Sequence, residues 1–204
     1  MIVSLFVTLG PGTNHEKVAG EYLAFHGLGP DALGFVASAE EGAGQLLSGE
    51  AEFMILCSVH PDVVGLTGRH MRDLFAIDAF ISPSKPLAIA TRCDAPAPKR
   101  IGVFAPTRDY ADLSAWPHVV ERHRGSIVDI WRGLRDGEFE SGLVYREDAE
   151  AAPDFVRVVR DVGSPDDAWI VFSRTRAWTG RILACKRSAV SARLSGMGPV
   201  HARR

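Results

Sequence analysis

The chain has 204 residues, 46% of them hydrophobic and 24% charged, an ordinary globular composition with enough apolar side chain for one large domain or two small lobes. A formal net charge of -2 without any Lys/Arg-rich run offers no basic field to a phosphate backbone, which argues against nucleic acid as a partner. Three scattered cysteines, Cys57, Cys93 and Cys185, lack CxxC spacing, which argues against a disulfide framework or a structural zinc and for a reducing, cytoplasmic setting.

The first element is the β-branched and apolar run at 2–9. It has no basic flank or small-residue cleavage site and is far too short for a bilayer, so it reads as a buried strand and not as a leader or membrane anchor. Gly10-Pro11-Gly12 ends it, and Val18, Tyr22 and Phe25 give 13–25 helical spacing, with Thr13 and Glu16 placed as a capping box. A strand at 33–36 precedes a second box, Ser38 with Glu41, and a helix through Ala43, Leu46 and Leu47. Phe53-Met54-Ile55-Leu56-Cys57 reads as a strand buried on both faces. Strand–helix alternation of this kind predicts a parallel sheet.

Further strands are expected at 75–81 and 87–91, and Asp94-Ala95-Pro96-Ala97-Pro98-Lys99 is the best linker in the chain. A second round of alternation follows: strand 100–104, helix 109–116 ended by Pro117, a short strand at Val119-Val120, helix 126–135 and strand 142–145. Strands at 155–159 and 169–172 return. The expected organisation is therefore a first α/β lobe of 1–94 and 162–187, a second of 95–161, and a Ser/Ala/Arg-rich tail at 188–204 that is a short helix or disordered. In parallel α/β lobes ligands bind beyond the carboxyl ends of the strands, where helix N-termini favour anions.

The segment Leu9-Gly10-Pro11-Gly12-Thr13-Asn14-His15-Glu16 resembles the opening of the prephenate dehydratases, where a strand ends in Leu-Gly-Pro-x-Gly-Thr-Phe-Ser before a helix. One turn residue is missing here, and Asn14-His15 stands in place of Phe-Ser. The resemblance continues weakly: Phe104-Ala105-Pro106 is similar to the family's Ser-His-Pro turn, Ser126-Ile127-Val128-Asp129 to the capped helix after it, and Gly142 to Ala149 to its Ala-Ala-Ile-Ala-Ser-Glu-Leu-Ala segment. It implies a two-lobed α/β fold of the type-2 periplasmic-binding-protein kind, with a small cyclic oxoacid anion between the lobes and no cofactor. A homodimer is compatible with it.

Departures matter as much. The family's Thr-Arg-Phe motif, whose Thr helps the ring hydroxyl leave and whose Arg holds a substrate carboxylate, aligns with Asp167-Ala168-Trp169, and Glu-Asn-Ser is replaced by Val59-His60-Pro61. Dehydration needs an acid at the departing oxygen and a cationic clamp. The resemblance therefore favours the short prephenate decarboxylases of bacilysin-type pathways, which lose carbon dioxide and keep the hydroxyl. A non-catalytic anion-binding or sensing protein on the same fold is the alternative.

On this reading Asp167 and His60 are the candidates for chemistry, and Thr13, Asn14, Ser58, Ser126 and Trp169 for ligand contact, the Gly10 to Asn14 turn being faced by Ser126 and the 167–169 segment. Each has a plain alternative: Thr13 and Ser126 as helix caps, Trp169 as core, Asp167 as a turn residue. Cys57 reads as an inert core thiol. The clamp is to be sought among Lys85, Arg92, Arg108 and Arg146.

Overall fold

The computed structural model describes residues 4–184. It contains two five-stranded sheets of the same topology. In the first, β1 (Ser4–Leu9) runs parallel to β2 (Leu33–Val36) and β3 (Ala51–Cys57), and the order β2-β1-β3-β10-β4 is completed by β10 (Asp166–Ser173), antiparallel to both its neighbours, and the edge strand β4 (Phe75–Pro83). In the second, β6 (Arg100–Phe104) runs parallel to β7 (His118–Arg122) and β8 (Ser141–Tyr145), and β5 (Leu87–Arg92) and β9 (Val156–Gly163) complete the order β7-β6-β8-β5-β9. Each sheet thus receives its fourth strand from a stretch of chain that has crossed from the other, a repetition with no counterpart in the sequence.

Alternation along the strands sorts side chains into layers. In β3, Met54 and Leu56 enter one core, with Val7, Val36 and Leu46, while Ile55 and Cys57 enter the other, with Phe6, Val18, Leu23 and Trp169. Helices α1 (Asn14–Phe25) and α2 (Ala39–Ser48) cover opposite faces accordingly. The second lobe repeats this. Ile89, Ile101 and Leu143 lie on one side, and Ala90, Val144 and Phe139 on the other under α4 (Ile127–Arg135).

The tip of the Phe139 ring meets the chain at Gly102 and Gly133, where an added Cβ would overlap it, at 2.7 Å in the case of Gly133. Replacing Gly102 by Ala is expected to cost about 1–3 kcal/mol through overpacking, read as a lower urea midpoint at unchanged slope. A midpoint equal to that of the unaltered protein would contradict this packing.

Three features differ from expectation. The strand 87–92 belongs to the second sheet, so the chain crosses at 84–86 and returns at 164–165; the Pro-rich stretch at 94–99 is a loop between β5 and β6. A Pro/Ala composition marks a loop but not which sheet its flanking strands join. The helix expected at 109–116 is replaced by a 3-10 turn, Ala105–Tyr110, and a loop. There Asp112 accepts from the backbone and hydroxyl of Ser114 at 2.9 and 3.0 Å, a local turn that competes with helix, while the buried Trp116 donates to Ser141 Oγ at 2.9 Å. Two short helices, α3 (Asp62–Arg69) and α5 (Arg146–Glu150), had no clear periodicity. The expected tail at 188–204 and Cys185 lie outside the described residues.

The two crossings are tied together. Ser84 N–H donates to the Pro165 carbonyl at 3.2 Å, and Ser164 Oγ donates to the Ser84 carbonyl. Among the described residues no helix is long and apolar enough to cross a membrane, and no cluster of three His, Cys, Asp or Glu is placed to hold a metal.

Candidate functional site

A cavity of about 740 Å³ lies between the lobes. Its walls come largely from the segments following the parallel strands of both sheets: Gly10 and Thr13 to His15 after β1, Ala37 and Ser38 after β2, Val59 to Asp62 after β3, Pro106, Thr107 and Tyr110 after β6, His123 to Ile127 after β7, and Tyr145 at the end of β8. These are the carboxyl ends at which this architecture gathers ligands.

Thr13, Asn14, His60, Ser126, Asp167 and Trp169 all border the cavity. Ser58 does not; its N–H extends the ladder to the Ala168 carbonyl at 2.9 Å. Trp169 is completely buried, with its indole N–H given to the Ser82 carbonyl at 3.0 Å, so it supports the wall rather than reaching a ligand. Because β10 lies in the first sheet, Asp167 and Trp169 stand on the same side as the Gly10 to Asn14 turn; the facing wall is Tyr110, Arg124 and Ser126.

The turn itself is heavily self-bonded. The Thr13 hydroxyl donates to the Gly10 carbonyl at 2.8 Å and accepts from His15 N–H at 3.2 Å, and Glu16 reaches back to Gly12 N–H at 2.6 Å, one residue earlier than a standard capping box. Asn14 N–H donates to the Tyr145 hydroxyl of the other lobe at 3.2 Å, and the Asn14 side-chain oxygen accepts from Lys85 N–H at 2.8 Å. Lys85 Nζ bridges the Gly12 carbonyl at 3.0 Å and Glu147 at 2.7 Å. The α1 N-terminus, the expected anion site, is therefore a clasp between the lobes. At Ser126, by contrast, the cap is the expected one: its N–H donates to Asp129 Oδ2 at 2.7 Å.

Behind the turn, His15 accepts from Cys57 N–H through Nε2 at 3.3 Å, which leaves its proton on Nδ1. Its ring lies edge-on to Trp169 at 5.2 Å and to His60 at 5.4 Å. Burial, helped by the His60 charge, holds the pKa of His15 down to about 3. His60 is lowered by burial too, against a smaller opposite effect of Asp62, and its Nδ1 accepts from Asp62 N–H at 3.3 Å, so Nε2 carries the proton. Both histidines are neutral N–H donors at neutral pH. Burial pushes the Cys57 thiol up to about 11, which removes it as a nucleophile.

Asp167 accepts from Ser84 Oγ, a buried residue of the crossing segment. Across the cavity stands Tyr110, whose phenol is held protonated by burial, reinforced by the charge of Asp167. Tyr110 was hidden from sequence reading inside the expected helix 109–116. Tyr145, at the end of β8, obeys the strand-end rule that singled out His60. Among the four cations considered, Lys85 alone borders the cavity; Arg92 pairs with Asp94, Arg108 with Glu121, and Arg146 with Glu150 and Asp161.

No protein-family model and no curated protein matches the sequence. Solved structures do match. A prephenate dehydratase of Arthrobacter aurescens, solved with L-Phe, is 17% identical with a TM-score of 0.61, over 87% of this chain and 62% of that one. The prephenate dehydratase of Staphylococcus aureus gives 13% and 0.52, over 83% of this chain and 67% of that one. GqqA, described as a quorum-quenching acylase, gives 13% and 0.52, over 86% of this chain and 66% of that one. The chain thus spans about 62% of the length of the first of these proteins. The fold is that of the prephenate dehydratase domain, two α/β lobes with a cleft between them.

Proposed function

We propose that the protein binds a small cyclic oxoacid of the prephenate kind between its lobes and removes the ring carboxylate as carbon dioxide, leaving the ring hydroxyl in place. The observation that carries this reading is the position of Asp167: an acid, anchored to Ser84, borders the cavity where the dehydratases that the sequence resembles carry a hydroxyl, and the exposed Ala168 replaces their Arg. We place the ring carboxylate beside Asp167, which serves as the acid for the ring carbon. As the ring–carboxylate bond breaks, its electron pair passes into the ring diene, Asp167 gives its proton to a ring carbon, and neutral carbon dioxide leaves. His60 Nε2–H and the Tyr110 hydroxyl are the neutral donors available to the ring oxygen.

Asp167→Asn is expected to lower turnover by about 100-fold or more while leaving prephenate binding within a few-fold, since the amide keeps the shape and loses the proton. Full activity in that variant would remove Asp167 from the chemistry. Turnover itself is tested by incubating the protein with prephenate and following carbon dioxide release together with the ultraviolet absorbance of phenylpyruvate. Carbon dioxide without phenylpyruvate is expected; phenylpyruvate formation would show dehydration instead.

A second reading, a non-catalytic binding or sensing protein, is favoured by one observation: the α1 donors are already satisfied from within, by Thr13, Glu16 and Tyr145. Saturable prephenate binding without turnover would support it.

A further inference from the structure

We infer that Arg124, on the second lobe, is the clamp for the oxoacid carboxylate of the ligand. The proposal deepens the reading above, on which it rests for the ligand's class. A dianionic oxoacid needs a cationic partner, and β10 supplies none to the cavity, which it borders with Asp167 and Trp169. The first lobe offers no replacement at the turn. Gly12 N–H is held by Glu16, Asn14 N–H by Tyr145 and His15 N–H by Thr13, while Lys85 is occupied by Glu147 and the Gly12 carbonyl.

Arg124 borders the cavity from the opposite wall, exposed, and among the described residues it makes no ion pair within 4.0 Å. The chain turns at Gly125, with φ of 89°, before entering α4, a conformation that suits glycine and sets Arg124 just ahead of the helix. Asp129 is the nearest acid in the same wall, but its two oxygens are engaged, Oδ2 by Ser126 N–H at 2.7 Å and Oδ1 by Arg132 at 3.0 Å. His123, also in the wall, lies 4.0 Å from Glu121, which in turn pairs with Arg108 at 3.2 Å. Among the described residues, Arg124 is thus the cation of the cleft left with its donors available. A guanidinium there can take a carboxylate in two-pronged fashion. The ligand would then lie across the cleft, ring carboxylate toward Asp167 and oxoacid side chain toward Arg124.

The test is calorimetric binding of prephenate, of phenylpyruvate, which carries the same oxoacid side chain, and of the phenylpyruvate methyl ester, to the unaltered protein and to Arg124→Gln, Arg124→Lys and Arg135→Gln. Loss of a charge-assisted pair predicts that Arg124→Gln binds both acids about 10- to 100-fold more weakly, with Arg124→Lys between. The ester should be indifferent to the change, and Arg135→Gln, on the outer face of α4, should behave as the unaltered protein. Unchanged affinity of Arg124→Gln for both acids overturns the clamp, and continued prephenate turnover in that case leaves the lyase reading standing. Phenylpyruvate bound through Arg124 without any prephenate binding overturns the substrate and keeps the clamp. Binding of neither acid by the unaltered protein overturns both.

Discussion

Trp169→Ala is expected to lower the free energy of unfolding by roughly 3–5 kcal/mol, the range for deleting a large aromatic from a packed core. The side chain is wholly buried in the layer formed by Phe6, Val18, Leu23 and Ile55, and its strand is flanked by β3 and β4, with Trp169 opposite Cys57 on one side and Phe80 on the other. Truncation empties the space behind the His15 ring and leaves the Ser82 carbonyl without its indole donor. The effect reaches the site, because His15 and the cavity wall lose their support. Trp169→Phe keeps most of the volume and is expected to cost much less, about 1–2 kcal/mol for the lost N–H bond and reduced packing. Urea unfolding of the two variants measures the difference; equal midpoints would place Trp169 outside the core.

Acidification from pH 6.5 to 5 is expected to destabilise the protein by roughly 2 kcal/mol through His15 alone, at up to about 1.4 kcal/mol per pH unit. The sign follows from proton counts. In the unfolded chain His15 takes a proton near its ordinary value of 6.5, whereas in the folded protein it stays neutral down to about 3. Below 6.5 the unfolded state therefore binds more protons, and stability falls with pH until the folded histidine also titrates. His60 acts in the same direction, tempered by Asp62. The lowered carboxylates Glu21, Glu40, Asp94 and Asp112 have unfolded values near 4, so their contribution is lost mainly below the histidine window. His15→Gln keeps an acceptor for Cys57 N–H and cannot titrate, so its unfolding midpoint should be much flatter between pH 6.5 and 5. An unchanged pH slope in that variant would mean that His15 is solvated in the folded state.

The strands and capped helices were legible because their signals are local: the apolar run at Phe53 to Cys57, the hydroxyls of Ser38 and Ser126 with an acid three residues on, and the spacing of Val18 and Tyr22. Which sheet a strand joins is not local. β5 carries a buried apolar pattern that suits either lobe, and only its pairing with β8 and β9 places the crossing at 84–86. The site divides in the same way. Strand-end logic led to His60, Thr13 and Asn14, but the sequence could not show that the Thr13 hydroxyl donates to Gly10 and accepts from His15 N–H, or that the Asn14 N–H is given to Tyr145. Arg124 carries no signal of its own in the sequence. Its distinction is negative, a cation at the cavity while Lys85, Arg92, Arg108 and Arg146 are drawn off to Glu147, Asp94, Glu121 and Glu150.

The most direct measurement uses prephenate carrying carbon-13 in the ring carboxylate, incubated with the purified protein and followed by carbon-13 and proton NMR. Removal of the ring carboxylate in the cleft beside Asp167 predicts that the label appears as carbon dioxide and bicarbonate, faster than in a protein-free control, while the product keeps its carbinol proton and shows no aromatic ring. Label release accompanied by aromatic phenylpyruvate, or a label that stays on the ring at the control rate, would contradict it.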